Sequence, residues 1–295
     1  MADTIPGLAA DICEVGRRLW LRGFTASNDG NISVRLDGGR LLMTPASVCK
    51  GFMTPDMMVV TDLQGTLLEG APGRKPSSEI LMHLTVYRHR PDVKAVVHAH
   101  PPTATGFAVA GIALDRAVLA EVVTTLGSIP LAAYGTPSTQ ELSTTIEPFV
   151  EAHDGLLLAN HGALAVGRDV FAAYYKMETI EHFARISLVA RQLGREHLLS
   201  REEVERLQAL RGSYGIAAPA PICPDPAPVG APTDPSCQVV VAPAARGARL
   251  VPTPSGAAAD AALHVGTDGE IRLTYAQLTD LIDEAVREIA ARRRA

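Results

Sequence analysis

The chain has no cysteine pair at C-x-x-C spacing, no long apolar run and no basic block, and only 4% of its residues are aromatic. Each shortage excludes something. The four cysteines, at 13, 49, 223 and 237, are spaced neither as a zinc motif nor as a disulfide framework, so they read as reduced thiols. The apolar stretches are short and broken by Gly, Pro or charge. The start, MADTIPGLAADICEVGRRLW, lacks the basic opening and apolar run of a secretory signal. No membrane partner is therefore expected, and the localisation reads as cytoplasmic. A net charge of −5, with no basic stripe interleaved with aromatics, argues against nucleic acid. What is present is bulk: 295 residues, 47% hydrophobic, can bury one sizeable core.

Periodicity predicts an alternating α/β domain. An amphipathic helix is expected over 7–22, carried by Leu8, Ile12, Val15 and Leu19, followed by strands at 31–36, 40–44 and 57–62. A helix over 78–90 leads to a strand at 93–98. Further helices are expected near 102–110, 138–152, 169–193 and 201–211, and further strands at 129–133, 156–160 and 163–167.

Two of these strands end in histidine. In VVHAH (96–100), His98 and His100 lie two apart at the end of an apolar run, so their side chains share one face of a strand. LLLANHG (156–162) places His161 at the end of another. A Pro-Pro pair closes the first run and a Gly the second, so all three imidazoles sit where strands give way to loops, the usual place for α/β sites. Three such side chains can share one metal ion. The competing reading is three hydrogen-bonded histidines without metal. In KPSSEILMHLTVYRHRP, Ser77 can cap the next helix, placing Glu79 in its first turn. There Glu79 is either a further ligand or a carboxylate complementing the helix dipole. Glu178 and His182, four apart on the long helix, read as a solvated or interface pair.

The segments SNDGNISVRL (27–36), MTPASV (43–48), KPSSE (75–79), VVHAHPP (96–102), SIPLAAYG (128–135), LLLANHGALAVG (156–167) and GSYGI (212–216) occur together, in order. In these the chain resembles the class II aldolase/adducin family, and within it the branch that cleaves L-fuculose 1-phosphate. The resemblance covers residues 1–218. It implies a three-layer α/β/α sandwich around a central sheet and a homotetramer with sites between subunits. It also implies a metal site of His98, His100 and His161, with Glu79 as a ligand that can leave and act as acid/base. Zinc is the implied ion, one per chain, although another divalent ion fits the same donors.

The resemblance further implies a sugar phosphate substrate held at Gly30, Asn31, Ala46, Ser47, Ser77 and Ser78. Backbone N–H groups, hydroxyls and a helix start can hold an anion on an acidic protein. Lys50, Arg74 and Lys75 lie near enough in sequence to add positive potential. The implied reaction breaks the C3–C4 bond of a ketose 1-phosphate. For L-fuculose 1-phosphate the products are dihydroxyacetone phosphate and L-lactaldehyde, with no Schiff-base lysine needed. Glu79 is the first discriminator, since the related L-ribulose-5-phosphate 4-epimerase usually carries Asp there. Tyr214 matches a tyrosine on the aldehyde side of the aldolase reaction, against the alternative of a packing tyrosine. One departure stands out: where the aldolase has another active-site tyrosine before the SIP segment, this chain offers only Glu121 in VLAEVVTTLGSIP. The epimerase, a phospho-sugar-acid decarboxylase and a non-catalytic adducin-like scaffold are the competing functions. Intact histidines disfavour the last.

Ten of the 21 prolines fall between Pro219 and Pro254, so 219–269 reads as a Pro/Ala-rich linker. Residues 270–295 then read as an amphipathic helix, with Thr274 and Gln277 as a capping box and Leu278, Leu281, Ile282, Ala285 and Ile289 as its apolar stripe. A short helix on such a tether resembles the encapsulation peptides that bring enzymes into bacterial microcompartments through a shell protein. The competing reading is a helix docked on its own tetramer.

Overall fold

The computed structural model describes residues 4–216, Ile222 and two short strands, His264–Val265 and Ile271–Arg272. The chain divides into two units, Met1–Val240 and Val241–Ala295. That division and the expected boundary at 218 both fall outside the described residues.

The first unit is built on eight strands: β1 Asn31–Leu36, β2 Arg40–Met43, β3 Val59–Asp62, β4 Leu67–Glu69, β5 Ala95–Ala99, β6 Leu131–Ala132, β7 Gly155–Leu158 and β8 Gly162–Gly167. They form one sheet in the order β4-β3-β2-β1-β5-β8-β7-β6. Every pairing is antiparallel except that of β6 with β7. Among the described residues seven α-helices accompany it: α1 Ile5–Leu21, α2 Ile80–His89, α3 Pro102–Val109, α4 Ala120–Thr125, α5 Gln140–Val150, α6 Val170–Gln192 and α7 Arg201–Leu210.

Alternation along the strands sorts side chains into two buried layers. Ile32, Val34, Leu42, Val60, Val97, Leu157 and Ala165 pack with α1, α3, α4 and α6. Leu41, Met43, Val59, Val96, Leu156, Leu158 and Leu164 pack with α2 and α5. The result is the expected three-layer α/β/α sandwich. Local signals agree with it: the Thr4 side chain accepts from the Gly7 N–H to start α1, and Asp169 accepts from Ala172 to start α6.

Among the strands and α-helices described in the first unit, β4 and α4 are not expected from the sequence. Strand β4 is an exposed three-residue edge whose Leu67 and Leu68 stay in solvent, so it leaves no pattern of burial to read. Helix α4 has only six residues, too short for a helical stripe.

In the second unit, β9 His264–Val265 and β10 Ile271–Arg272 pair antiparallel. The linker reading of 219–269 contains no strand. Between the two strands the sequence runs GTDGE, and its Asp-Gly pair is a hairpin signal that composition alone passes over. The segment expected as an amphipathic helix, 270–295, instead carries β10 at Ile271–Arg272, where the backbone pairs with β9, and the rest of that expected helix lies outside the described residues.

Candidate metal centre

The site forms at one end of the central strands. Asn31, the first residue of β1, is paired in register with His98 on β5. Next to β5, strand β8 begins just after His161, in a tight turn where Asn160 takes a left-handed φ of 55° and the His161 N–H donates to Leu158 O. Gly162 must be small there, since a Cβ would lie 2.5 Å from the His100 ring. The turn after β5 is held by Glu181, whose buried carboxylate on α6 accepts from the Thr103 and Ala104 N–H groups at 3.1 and 2.8 Å. This carboxylate caps α3 and thereby fixes the segment leaving His98 and His100.

The three imidazoles converge. His98 donates its Nδ1–H to Ala163 O at 2.9 Å, which leaves Nε2 as its lone-pair nitrogen. That Nε2 lies 3.1 Å from Nε2 of His100. It is also 3.4 Å from Glu79 Oε2, while His161 Nε2 is 3.1 Å from Glu79 Oε1. His100 turns its other nitrogen, Nδ1, to Asp29 Oδ2 at 3.4 Å. Ligand atoms of the three histidines all lie within 4.8 Å of one another. Burial pushes His98 down to about 3 and also lowers His100, so their imidazoles are neutral, as metal ligands must be. Three close imidazole nitrogens, with the buried Glu79 Oε1 left without a hydrogen bond, are a donor set that fits a divalent cation.

Glu79 does not sit where sequence reading puts it. It precedes α2 as its N-cap residue, and its side chain makes no capping bond. Ser77 accepts from the Glu79 N–H through Oγ and from the Ile80 N–H through its carbonyl, closing a tight turn one step early. The helical ladder then starts at Ile80. Freed from serving the helix, the carboxylate turns to His98, His161 and the Asn31 amide, which donates to Oε2 at 2.7 Å. Burial alone would raise the Glu79 carboxyl, but His98, His161 and Asn31 outweigh it and hold it well below the usual carboxylate range.

Of the six residues expected at a phosphate, Asn31 opens β1 and the other five lie on the loops around it. The Ala46 N–H donates to Lys75 O at 2.9 Å, and Pro45 bridges to Pro76, so residues 44–47 run beside 75–78. Gly30 is left-handed, with φ 75°, and packs so closely that a Cβ would lie 2.8 Å from His98 O. Ser47, with φ 58°, is exposed, as is Ser78. Ser77 is buried, and because its oxygen accepts from Glu79 its own O–H remains to donate. The Asn31 side chain, in contrast, is spent inside the protein on Glu79 and His83.

Lys50, expected to add positive potential near the phosphate, is turned inward. It is only 2% exposed and donates to Asn28 O at 2.8 Å and Val48 O at 2.6 Å, tying two of the loops together from below. Burial pulls it down to about 8, against the opposing pull of Cys49, Asp29 and Glu79. Lys75 stays exposed.

Other predicted residues lie elsewhere within the chain. Tyr214 follows α7, its N–H donating to the Leu210 and Arg211 carbonyls, and the residue is 65% exposed. Glu121 opens α4 and lines a separate cavity of about 560 Å³ with Arg22, Glu178 and His182. Glu178 pairs there with Arg22 at 2.5 Å and with the Tyr174 hydroxyl. A larger cavity, about 840 Å³, includes Leu36, Lys94 and Arg168 at the far end of the same strands and holds none of the predicted site residues.

Sequence reasoning also missed Asp29, behind His100, and His83, behind Asn31. The one signal for His83 in the sequence is its place four residues after Glu79, in the first turn of α2.

Residues 10–188 match the model of the Class II Aldolase and Adducin N-terminal domain. The chain belongs to the class II aldolase and adducin family. Among its relatives, an L-fuculose phosphate aldolase of Methanococcus maripaludis is 31% identical over 186 residues, 62% of this chain and 97% of the relative. A 3-oxo-tetronate 4-phosphate decarboxylase of Pectobacterium atrosepticum is also 31% identical, over 184 residues, 61% of this chain and 83% of the relative. Among solved structures, an L-fuculose 1-phosphate aldolase superposes with a TM-score of 0.64 at 30% identity, covering 68% of this chain and 94% of that one.

Proposed function

We propose that this family member is a zinc-dependent aldolase that cleaves a ketose 1-phosphate, of the L-fuculose 1-phosphate type, into dihydroxyacetone phosphate and an aldehyde. The observation that carries the reading is the convergence of the His98, His100 and His161 nitrogens with both oxygens of Glu79 at strand ends. His98, His100, His161 and Glu79 would hold the ion, which when bound supplies the Lewis acid that polarises the ketose carbonyl and stabilises the charge left as C3–C4 breaks.

The chain's own groups do the rest. Ser47, on a loop braced by Lys50, and Ser77 and Ser78, on the loop bridged to it, present hydroxyls to the substrate phosphate. Glu79, a carboxylate at working pH, moves the proton between the fragment's carbon and the medium, with Asn31 holding one of its oxygens. Asp29 steadies the His100 ring from behind. A tyrosine as exposed as Tyr214 is available to a neighbouring subunit of a tetramer, where it would meet the aldehyde end.

The second reading is decarboxylation of a phospho-sugar acid. Two observations favour it: a decarboxylase relative matches as well as an aldolase does, and Glu121 stands where an aldolase tyrosine is expected. Product analysis of the metal-reconstituted protein with ketose 1-phosphates, pentulose 5-phosphates and 3-oxo-tetronate 4-phosphate decides between them. Dihydroxyacetone phosphate with no carbon dioxide supports the aldolase. Carbon dioxide release from the sugar acid alone overturns it.

A further inference from the structure

Beneath Glu79 runs a chain of buried polar groups on the face of β1 that looks toward α2. Asn31 Nδ2 donates to Glu79 Oε2 at 2.7 Å, and Asn31 Oδ1 bonds with His83 Nε2. His83 Nδ1 is 2.6 Å from Ser33 Oγ. The Tyr87 hydroxyl lies 2.8 Å from Ser33 Oγ and donates to Ser33 O at 3.0 Å. Ser33 and His83 are wholly buried, and Asn31 and Tyr87 are each 2% exposed, so water cannot replace a missing partner.

With Asn31 Nδ2 donating to Glu79, the donors in this chain have only one consistent order. An amide oxygen has no hydrogen, so the bond to Asn31 Oδ1 requires the proton on His83 Nε2. A neutral ring protonated there has Nδ1 as an acceptor, and Ser33 must donate to it. The order matters because an Asn amide is nearly symmetric in shape. Rotated by half a turn, Asn31 would put its oxygen against the Glu79 carboxylate, and the attraction would become repulsion. Nothing in the Asn31–Glu79 pair alone forbids the rotation once the carboxylate leaves to carry a proton. The His83 N–H does, since a rotated amide would set NH₂ against N–H.

We infer that His83 is a positioning residue: through Asn31, it fixes the orientation of the Glu79 carboxylate beside the three histidines. The inference deepens the acid/base reading of Glu79 and rests on it for the rate effect alone.

The test uses the full chain. His83→Leu removes the donor, whereas His83→Gln restores an N–H toward Asn31 and an oxygen toward Ser33. In the metal-loaded protein His83→Leu should lower kcat roughly 10- to 100-fold at a KM within about threefold of wild type. His83→Gln should recover most of that loss. Placed in a Glu79→Gln background, His83→Leu should cost no further rate, because its route of action is already cut. A readout independent of turnover is the visible spectrum of the cobalt-substituted protein. His83→Leu should shift it, and His83→Gln should return it. Should His83→Leu fail to fold, Ser33→Ala leaves the ring in place and tests the same order of donors, with a spectral shift in the same sense. An unshifted cobalt spectrum, or a rate loss as large in the Glu79→Gln background as in the wild-type one, would overturn the inference. If the wild type cleaves no sugar phosphate, the proposed function fails, and the spectrum still decides the role of His83.

Discussion

Strand β1 shows the sheet's two faces at their most different. On one side Ile32 and Val34 enter a dry layer shared with α1 and α6. On the other, Asn31, Ser33 and Arg35 alternate with them under α2, tied into hydrogen bonds with that helix and with Glu79. Arg35 lies over the Tyr87 ring at 4.7 Å and donates to the Tyr87 carbonyl at 2.6 Å, near the end of α2. The same strand thus borders packing on one face and a hydrogen-bonded network on the other. Alternation of polar and apolar residues marks a strand, but it does not say that the polar side faces solvent. Here a helix covers the polar side, and the turn that opens it delivers Glu79 to the histidines.

The comparison can be broken at several places. The largest effect is expected where the network ends in the metal centre. His98→Ala or His161→Ala should abolish both metal binding and turnover, as judged by metal content of the purified protein and by assay, while circular dichroism stays native. Next comes Glu79→Gln, which should keep the fold and most of the metal yet lose roughly 10²- to 10⁴-fold in kcat. A variant within a few-fold of wild type would return Glu79 to an electrostatic role at a helix start.

Smaller effects separate the faces themselves. Ile32→Ala on the dry face should cost about 2–5 kcal/mol of unfolding free energy, measured by denaturant titration, with kcat retained in the folded fraction. Ser33→Ala on the polar face removes almost no volume but leaves His83 Nδ1 without its donor. It should cost only about 1–3 kcal/mol and yet depress kcat. Equal rate effects from the two would erase the distinction.

The most gradual effect is a pH slope. Burial pushes His83 down to about 4, against an unfolded value of about 6.5. Between those values the unfolded chain binds the proton and the native chain does not, so stability falls as pH falls through this window. One such group contributes about 1.4 kcal/mol per pH unit. The metal-free protein should therefore lose stability less steeply between pH 6.5 and 4 as His83→Gln than as wild type.

Much of this is legible in the sequence, for definite reasons. His98, His100 and His161 announce themselves because apolar runs ended by Pro or Gly are easy to see, and a strand keeps its i and i+2 side chains together. Strand β1 is bounded at Asn31–Leu36 as expected, because its polar and apolar residues alternate without interruption. The position of Glu79 differs by one step, since Ser77 can close a turn as readily as cap a helix. Lys50 reads only as a nearby positive charge, because nothing local tells that two loop carbonyls wait for its ammonium inside the protein. His83 escapes notice because a histidine within an apolar helix face looks like packing until Asn31 and Ser33 are seen across from it. Glu121 and Tyr214 stand out by motif position alone, and the fold sets Glu121 in a separate cavity and leaves Tyr214 exposed after α7.

The central claim is that three histidines and Glu79 form the metal centre of a lyase. Its most direct measurement is a titration of the metal-stripped, full-length protein with zinc, following bound metal and cleavage of L-fuculose 1-phosphate in the same samples. The account predicts that cleavage rises from nothing in step with occupancy and saturates at about one ion per chain, as expected for a single set of four protein ligands. Full cleavage by the stripped protein, or one ion bound by His98→Ala as tightly as by wild type, would contradict it.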